Sequence, residues 1–236
     1  MTLANQPSAT LMLKHKRVIT LRADAIGCQS GTNPYAGGFN NVTCIPDRLK
    51  QPKNIKKPSL IFVNSMADYL HSDVPDEFND EIFQVVRECP KHQFQFLTKR
   101  SQRMAEYFET RSVPDNAWIG VSVEDKKYGL PRVDDLRKVN AKTRFLSIEP
   151  LLEDLGEFDL TGINWVIVGG ESVAKKYAAR RMMPEWVDSI QRQCHAQGVA
   201  FFFKQWGNWH PDGTWSRNKD FNLLRDHEWN EMPTIA

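Results

Sequence analysis

The chain has 236 residues, of which 41% are hydrophobic and 25% charged, and its 31 basic and 29 acidic residues leave a formal charge of +2. This composition predicts one globular domain that buries about 70% of its unfolded surface, and it excludes a largely disordered chain. The near-neutral charge argues against a dedicated nucleic-acid coat protein. No apolar run approaches the ~20 residues of a membrane helix, and the N-terminus lacks the apolar core of a signal peptide. We therefore expect a cytoplasmic protein with no membrane partner.

The two ends of the chain differ in pattern from its middle. Residues 1–58 are expected to form an irregular segment, in which VITLR at residues 18–22 has the composition of a short strand. The Gly- and Asn-rich stretch GCQSGTNPYAGGFNN after it predicts a loop. Residues 211–236 carry three large aromatic residues among polar ones and predict an irregular C-terminal tail.

Six apolar segments of strand length recur between residues 59 and 210. Each is hydrophobic nearly throughout, which is typical of strands covered on both faces, whereas half-exposed strands alternate. The segments are Ser59 to Asn64, Gln93 to Lys99, Ala117 to Val123, Thr143 to Glu149, Asn164 to Gly170 and Val199 to Gln205.

Helical patterns lie between most of these segments. Apolar residues recur at helical spacing over Phe78–Cys89 and Trp186–Cys194, and a weaker pattern covers Pro131–Val139. Ser101 is expected to cap a further helix. The connection over residues 150–162 shows no clear helix. Alternating strands and helices predict an α/β domain with a parallel sheet, either open or closed toward a barrel.

Polar residues follow all six segments at the points where the strands end. The carboxyl ends of barrel strands meet at one mouth, whereas an open sheet brings together only those near its switch point. Six polar ends therefore favour a partial TIM-type barrel over residues 59–210. The candidate ligand-binding residues at this mouth are Asn64, Ser65, Asp68, Lys99, Ser122, Glu124, Glu149, Gly169, Gly170, Glu171, Lys204 and Gln205.

Three of these candidates, Glu124, Glu149 and Glu171, lie at or just past the ends of different strands. Unpaired buried carboxylates are costly, so three at one mouth require inward cations, a ligand amine or a metal. Strand alternation points Lys99 inward, and Lys204 is the second expected cation. Purely structural ion pairs are the alternative. A basic loop near the same mouth, which either steers an anion or faces solvent, consists of Lys175, Lys176, Arg180 and Arg181.

The strand-end blocks, in chain order, are LIFVNSMADYLHSDVPDEF, FQFLTKRSQRM, WIGVSVED, RFLSIEPLLEDLG, INWVIVGGES and MMPEWVDSIQRQCHAQGVAFFFKQWG. They resemble blocks of an uncharacterised phage and bacterial family, Gp thirty-seven / Gp sixty-eight, over residues 33–208. The resemblance implies a radical-SAM-like partial TIM barrel, carried on a phage or prophage, with S-adenosylmethionine as a ligand. Members of that family look as if they hold a 4Fe-4S cluster through closely spaced N-terminal cysteines.

This chain departs from that family where the cluster is expected. Cys28 stands alone, and no two of the four cysteines form a CxxC or CxxxC pair, whereas a 4Fe-4S cluster needs clustered thiolates. Spacing of this kind also excludes a disulfide framework and a Cys-rich metal site. After GGES the sequence reads VAKKYAARRM, with Arg181 in place of the family's proline. An altered or truncated gene start and a genuine divergence both explain the missing cysteines.

The sequence therefore predicts a degenerate, radical-SAM-like barrel that binds a small anionic or zwitterionic ligand without a cluster and without a resident metal. A second hypothesis is a nucleic-acid-associated phage protein that uses Lys99, Arg100 and the basic loop. A third is a metal-assisted hydrolase with Glu124 or Glu149 as the base.

Overall fold

The computed structural model describes residues 18–21, 42–63, 67–173, 178–217 and 221–234. The strands are β1 Val18–Leu21, β2 Leu60–Val63, β3 Gln93–Thr98, β4 Ala117–Ser122, β5 Thr143–Ile148, β6 Trp165–Gly169, β7 Ala200–Gln205, β8 Leu223–Leu224 and β9 His227–Glu228. The helices are α1 Gln51–Asn54, α2 Asp76–Glu88, α3 Ser101–Glu109, α4 Pro131–Lys138 and α5 Pro184–Ala196, with a 3-10 turn at Pro46–Lys50 before α1.

The main sheet is parallel, and its strands follow one another in chain order from β1 to β7. Strands β2–β7 form a half-barrel, and β1 pairs with β2 at its edge. The six apolar segments match β2–β7 to within one residue at each end, so the predicted α/β parallel sheet is confirmed. The strand order contains no reversal, which distinguishes it from the doubly wound sheets that have a switch point.

One face of the half-barrel, the outer face, packs against the long helices. Alternate strand residues such as Phe94, Phe96 and Val121 form one buried cluster with helix residues such as Phe83 of α2 and Met104 of α3. Side chains alternate between the two faces of a strand, so the remaining strand residues face inward. The apolar faces of the helices thus fix which side of each strand is left without a helix.

The opposite, inner face carries its own aromatic cluster. Leu60, Trp118, Phe145 and Trp165, one from each of four strands, are buried there together. Gly120 of β4 makes this packing fit, because a Cβ at that position would lie 2.5 Å from the Phe145 ring. An alanine there would force the ring to move, so the glycine is needed for close packing between β4 and β5.

The start of α3 differs from the prediction. Ser101 is the first residue of the helix rather than its cap, and Arg100 occupies the N-cap position without a side-chain capping hydrogen bond. The Ser101 hydroxyl donates instead to Asp135 Oδ2 of α4 at 2.7 Å. A bond between two helices has replaced the local cap, which sequence spacing alone does not reveal.

The C-terminal tail covers the free edge of β7. The Phe203 amide donates to the Trp229 carbonyl at 2.8 Å, and the Glu231 amide donates to the Phe201 carbonyl at 3.1 Å. The Trp165 indole also donates to the Glu231 carbonyl, at 2.9 Å. The tail was expected to be irregular, yet it holds the short antiparallel pair β8–β9 and these edge contacts.

Among the described residues, none of the helices combines the length and the apolar character that crossing a lipid bilayer requires.

Candidate functional site

The inner face ends, at the carboxyl edge of the sheet, in charged side chains. Phe145 belongs to the inner cluster, and Glu149 lies four residues further along the same strand direction, so it points the same way. By the same alternation, Lys204 lies on the same face of β7 as Phe202, and Lys99 lies on the same face as Leu97 at the end of β3. The structure joins these residues into two ion pairs, Lys99–Glu124 and Lys204–Glu149, the mouth pairs.

The Glu124 carboxylate is held by two cations. Its side chain is only 9% exposed, and it contacts the Lys99 ammonium and the Arg132 Nη1, the latter at 2.7 Å. Arg132 comes from α4, is 16% exposed, and also donates to the Ser122 carbonyl at 2.6 Å. Burial acts to raise the pKa of Glu124, but the hydrogen bonds from Lys99 and Arg132 outweigh it and hold that pKa below the ordinary value.

The Glu149 carboxylate lies over a glycine and faces one lysine. Lys204 Nζ is 3.0 Å from Oε1 and 3.2 Å from Oε2 of Glu149. A Cβ on Gly169 of β6 would lie 2.4 Å from Glu149 Oε1, so the carboxylate in this position depends on the glycine and would have to shift if another residue stood there. Lys204 is 53% exposed and Glu149 is 19% exposed, so the lysine is the more accessible partner of the pair.

Asp68 ties the loop after β2 to the loop after β3. It accepts hydrogen bonds from the Thr98 hydroxyl at 2.8 Å and from Arg100 Nη1 at 2.8 Å. It also accepts from the Leu70 amide at 3.0 Å and the Lys99 amide at 3.3 Å. With its oxygens engaged in this way, Asp68 positions the Lys99 backbone and acts as a structural anchor of the mouth.

Glu171 takes a different cation from the other two glutamates. Arg180 donates to both of its oxygens through the guanidinium and to Oε2 through its amide at 2.7 Å. These bonds from Arg180 lower the pKa of Glu171. The sequence left inward cations, a ligand amine or a metal open as partners of the three glutamates, and for Glu171 the partner is Arg180 from the basic loop.

The predicted basic loop is therefore not a set of free cations. Arg180 is used by Glu171, and the Arg181 guanidinium lies over the Trp209 ring, 5.4 Å from its centroid. Lys175 and Lys176 lie outside the described residues. The nucleic-acid hypothesis thus loses part of the surface on which it depended.

The remaining candidates fall into three groups. Ser122 is buried on β4. Gly170 and Gln205 hold the ends of β6 and β7 together, since the Gly170 amide donates to the Gln205 carbonyl at 2.9 Å, and the Gln205 amide group donates to Ser172 at 3.2 Å. Asn64 and Ser65 lie outside the described residues.

Two of the three described cysteines lie in the core. Cys89, at the end of α2, and Cys194, within α5, are both buried in the outer-face core. Burial raises the pKa of both thiols, that of Cys194 to about 12. In the described ranges no three His, Cys, Asp or Glu side chains converge as metal ligands do, and Cys28 lies outside those ranges.

Sequence reasoning missed two residues of the mouth, Arg132 and Thr98. Arg132 reaches Glu124 across the loop between β4 and α4, and Thr98 bonds Asp68 from a neighbouring strand. Both contacts join separate elements. No periodicity marks such a contact, although a basic residue in the first turn of a helix that follows a strand-end glutamate is a usable hint.

Fold and site together define an α/β half-barrel protein with paired charges at the carboxyl ends of its strands. The chain belongs to the family described as Protein of unknown function (DUF5131), which it matches over residues 13–233. No curated protein and no solved structure matches it.

Proposed function

We propose that this chain binds a small zwitterionic ligand, one that carries an ammonium and a carboxylate, at the mouth pairs. The observation that carries the proposal is the Glu149 carboxylate, which lies over Gly169 with one exposed lysine against it. A ligand ammonium can take the place of Lys204 on Glu149, and the released lysine can then bind the ligand carboxylate. Site and ligand are each neutral in sum, so the exchange leaves no charge unpaired.

The second mouth pair supports the same ligand. Lys99, Arg132 and Glu124 together carry one net positive charge, and Lys99 is 57% exposed. Lys99 is therefore a second cation that a ligand carboxylate bound to the released Lys204 can contact. S-adenosylmethionine, the ligand that the family resemblance suggests, has this head group joined to a sulfonium and an adenosine. We include no redox step, because the sequence offers no closely spaced cysteines.

Calorimetric titration of the full chain with S-adenosylmethionine, methionine and adenosine tests the proposal. Methionine carries the head group alone and adenosine lacks it, so we expect the first two to bind and adenosine to fail. Lys204→Met and Glu149→Gln should each weaken binding by about tenfold, the effect of one lost charged hydrogen bond.

Lys142→Met is the matched control. Lys142 is 54% exposed and pairs with Asp115 at 2.8 Å, so it resembles Lys204 in exposure and pairing but follows α4 at the other end of β5. Binding that Lys142→Met weakens as much as Lys204→Met, or the absence of binding by both zwitterions, overturns the proposal. A stoichiometric cluster formed on anaerobic addition of iron and sulfide would overturn its non-redox part.

A further inference from the structure

A second charged cavity, the outer cavity, lies between the N-terminal ends of α3 and α4. Its volume is about 520 Å³, within the range of small-ligand sites. Five of its lining residues are cationic and one, Asp135, is acidic. A larger cavity of about 830 Å³ lies between α1, α2 and α3, but its lining holds four cations and three carboxylates and so carries a smaller excess of positive charge. The outer cavity therefore has the stronger preference for an anion.

The cations of the outer cavity divide into structural and available groups. Arg103 is committed to the carbonyls of Leu70 and Val74 and to Asp76, and Arg132 is committed to Glu124. Lys99 and Arg100 also pair with carboxylates, those of Glu124 and Asp68, but their side chains remain 57% and 39% exposed at the rim, where a ligand phosphate can reach them. Lys127 is the third cation of the rim. In the described part of the chain no acidic side chain lies within ion-pair distance of Lys127 (the Lys127 ammonium instead lies 4.9 Å from the centre of the Tyr128 ring).

Tyr128 supplies an aromatic surface beside these charges. Its side chain is 59% exposed, which is the largest exposure among the big apolar residues that the structure describes. The loop that presents it is well ordered by hydrogen bonds, because Asp125 Oδ1 accepts from the Tyr128 amide at 2.6 Å and from the Gly129 amide at 3.2 Å. Glu153 further holds the Lys126 amide, at 2.7 Å. Because the loop backbone is already held in place, little conformational entropy of the loop is lost when a ligand stacks on the Tyr128 ring.

We infer that the outer cavity binds a nucleotide unit, with its phosphate against Lys99, Arg100 and Lys127 and its base on the Tyr128 ring. A bare anion uses the cations and leaves the aromatic surface unused, whereas a nucleotide uses both. The same unit occurs in a free nucleotide and in a single-stranded nucleic acid. The inference shares Lys99 with the mouth pairs but is tested separately from the zwitterion site, since Lys127 and Tyr128 do not contribute to those pairs.

Two binding measurements on the full chain test the inference and separate the sources. One follows the fluorescence anisotropy of a labelled oligothymidylate of about 10 nucleotides, and the other titrates ADP by calorimetry. Tyr128→Ala should weaken binding about tenfold, since a base stacked on an aromatic ring contributes that much. Tyr128→Phe keeps the ring and should bind within about twofold of the original chain.

The salt dependence of oligonucleotide binding tests the contribution of the cations at the rim. Between about 50 and 200 mM salt, oligonucleotide affinity should fall along a log–log line, and Lys127→Gln should reduce its slope by about 0.7, the contribution of one phosphate contact on a single strand. Lys204→Met, which disrupts the mouth, and Lys142→Gln, which is remote, should leave nucleotide binding unchanged. Loss of zwitterion binding in Lys204→Met with nucleotide binding intact distinguishes the two sites.

Each outcome has a defined meaning. Binding of ADP alone, of the strand alone, or of both supports the inference and identifies the source, provided that Tyr128→Ala weakens it. Binding of neither ligand, equal affinity in Tyr128→Ala, or equally effective displacement by poly-glutamate overturns it.

Discussion

The two mouth pairs look alike in composition and differ in construction. Glu124 is enclosed by two cations, one of them the largely buried Arg132, and its own side chain is 9% exposed. Glu149 faces Lys204 alone, and the space for its carboxylate comes from a missing side chain at Gly169. The first pair is part of the packing between sheet and helix, whereas the second can open without disturbing that packing. The difference suggests a structural role for Glu124 and an exchangeable one for Glu149.

The largest expected effect comes from removing each carboxylate in turn. Glu124→Ala leaves Arg132 buried without its partner and should lower the free energy of unfolding by about 3 kcal/mol. Glu149→Ala leaves only an exposed lysine and should lower it by less than about 1 kcal/mol. Urea unfolding at neutral pH measures both. Equal losses would mean that the two pairs are equivalent after all.

Gly169→Ala tests the space that the second pair requires. The new Cβ would lie 2.4 Å from Glu149 Oε1, so the carboxylate has to move, and we expect a loss of no more than about 1 kcal/mol, because only an ion pair of the mouth is disturbed. In a Glu149→Ala background the same substitution should cost little, because the obstructing atoms are gone. A double-mutant cycle of unfolding free energies gives the coupling directly, and a coupling near zero would contradict this account of the glycine.

A smaller effect should appear in the pH dependence of stability. The pKa of Glu124 is lower in the folded chain than in the unfolded one, so the unfolded state takes up the proton first as pH falls. The stabilisation is therefore complete above the ordinary glutamate pKa of 4.5 and is lost as pH falls below it. The difference in unfolding free energy between the original chain and Glu124→Gln should narrow over that range. A difference that stays constant from neutral to acidic pH would argue against the two ion pairs.

The smallest expected effect is that of Lys204→Met on stability. An exposed ion pair contributes little, so the change in unfolding free energy should stay within about 0.5 kcal/mol. Lys142→Met, with a lysine of matching exposure, should behave the same way in thermal unfolding. A loss of several kcal/mol in Lys204→Met alone would assign the second pair to the packing rather than to a ligand.

The parallel α/β sheet could be predicted well from the sequence, because the local composition of each strand is enough to recognise it. Each of β2–β7 is an apolar run whose length and flanking polar residues suffice to find it. The alternation of residues along β3 also placed Lys99 on the inner side, where the structure pairs it with Glu124. Local periodicity carries this information, since neighbouring residues on a strand always face opposite ways.

Contacts between side chains of different helices and strands could not be predicted from this local periodicity. Arg132 meets Glu124 only because α4 folds back beneath the loop that follows β4, and Ser101 bonds Asp135 across two helices. Gly169 was one of the candidate ligand-binding residues, and the structure places the Glu149 carboxylate of the chain itself beside it. Such contacts depend on how one element packs against another, which local periodicity does not show.

The tail that borders β7 has a further consequence. A parallel sheet that is not closed exposes backbone amides and carbonyls at its ends, and such a border can recruit strands from other molecules and start aggregation. Trp229 and Glu231 occupy those groups on β7. We therefore expect residues 229–231 to reduce self-association along this edge, and engineering or tagging near them should preserve the pairing.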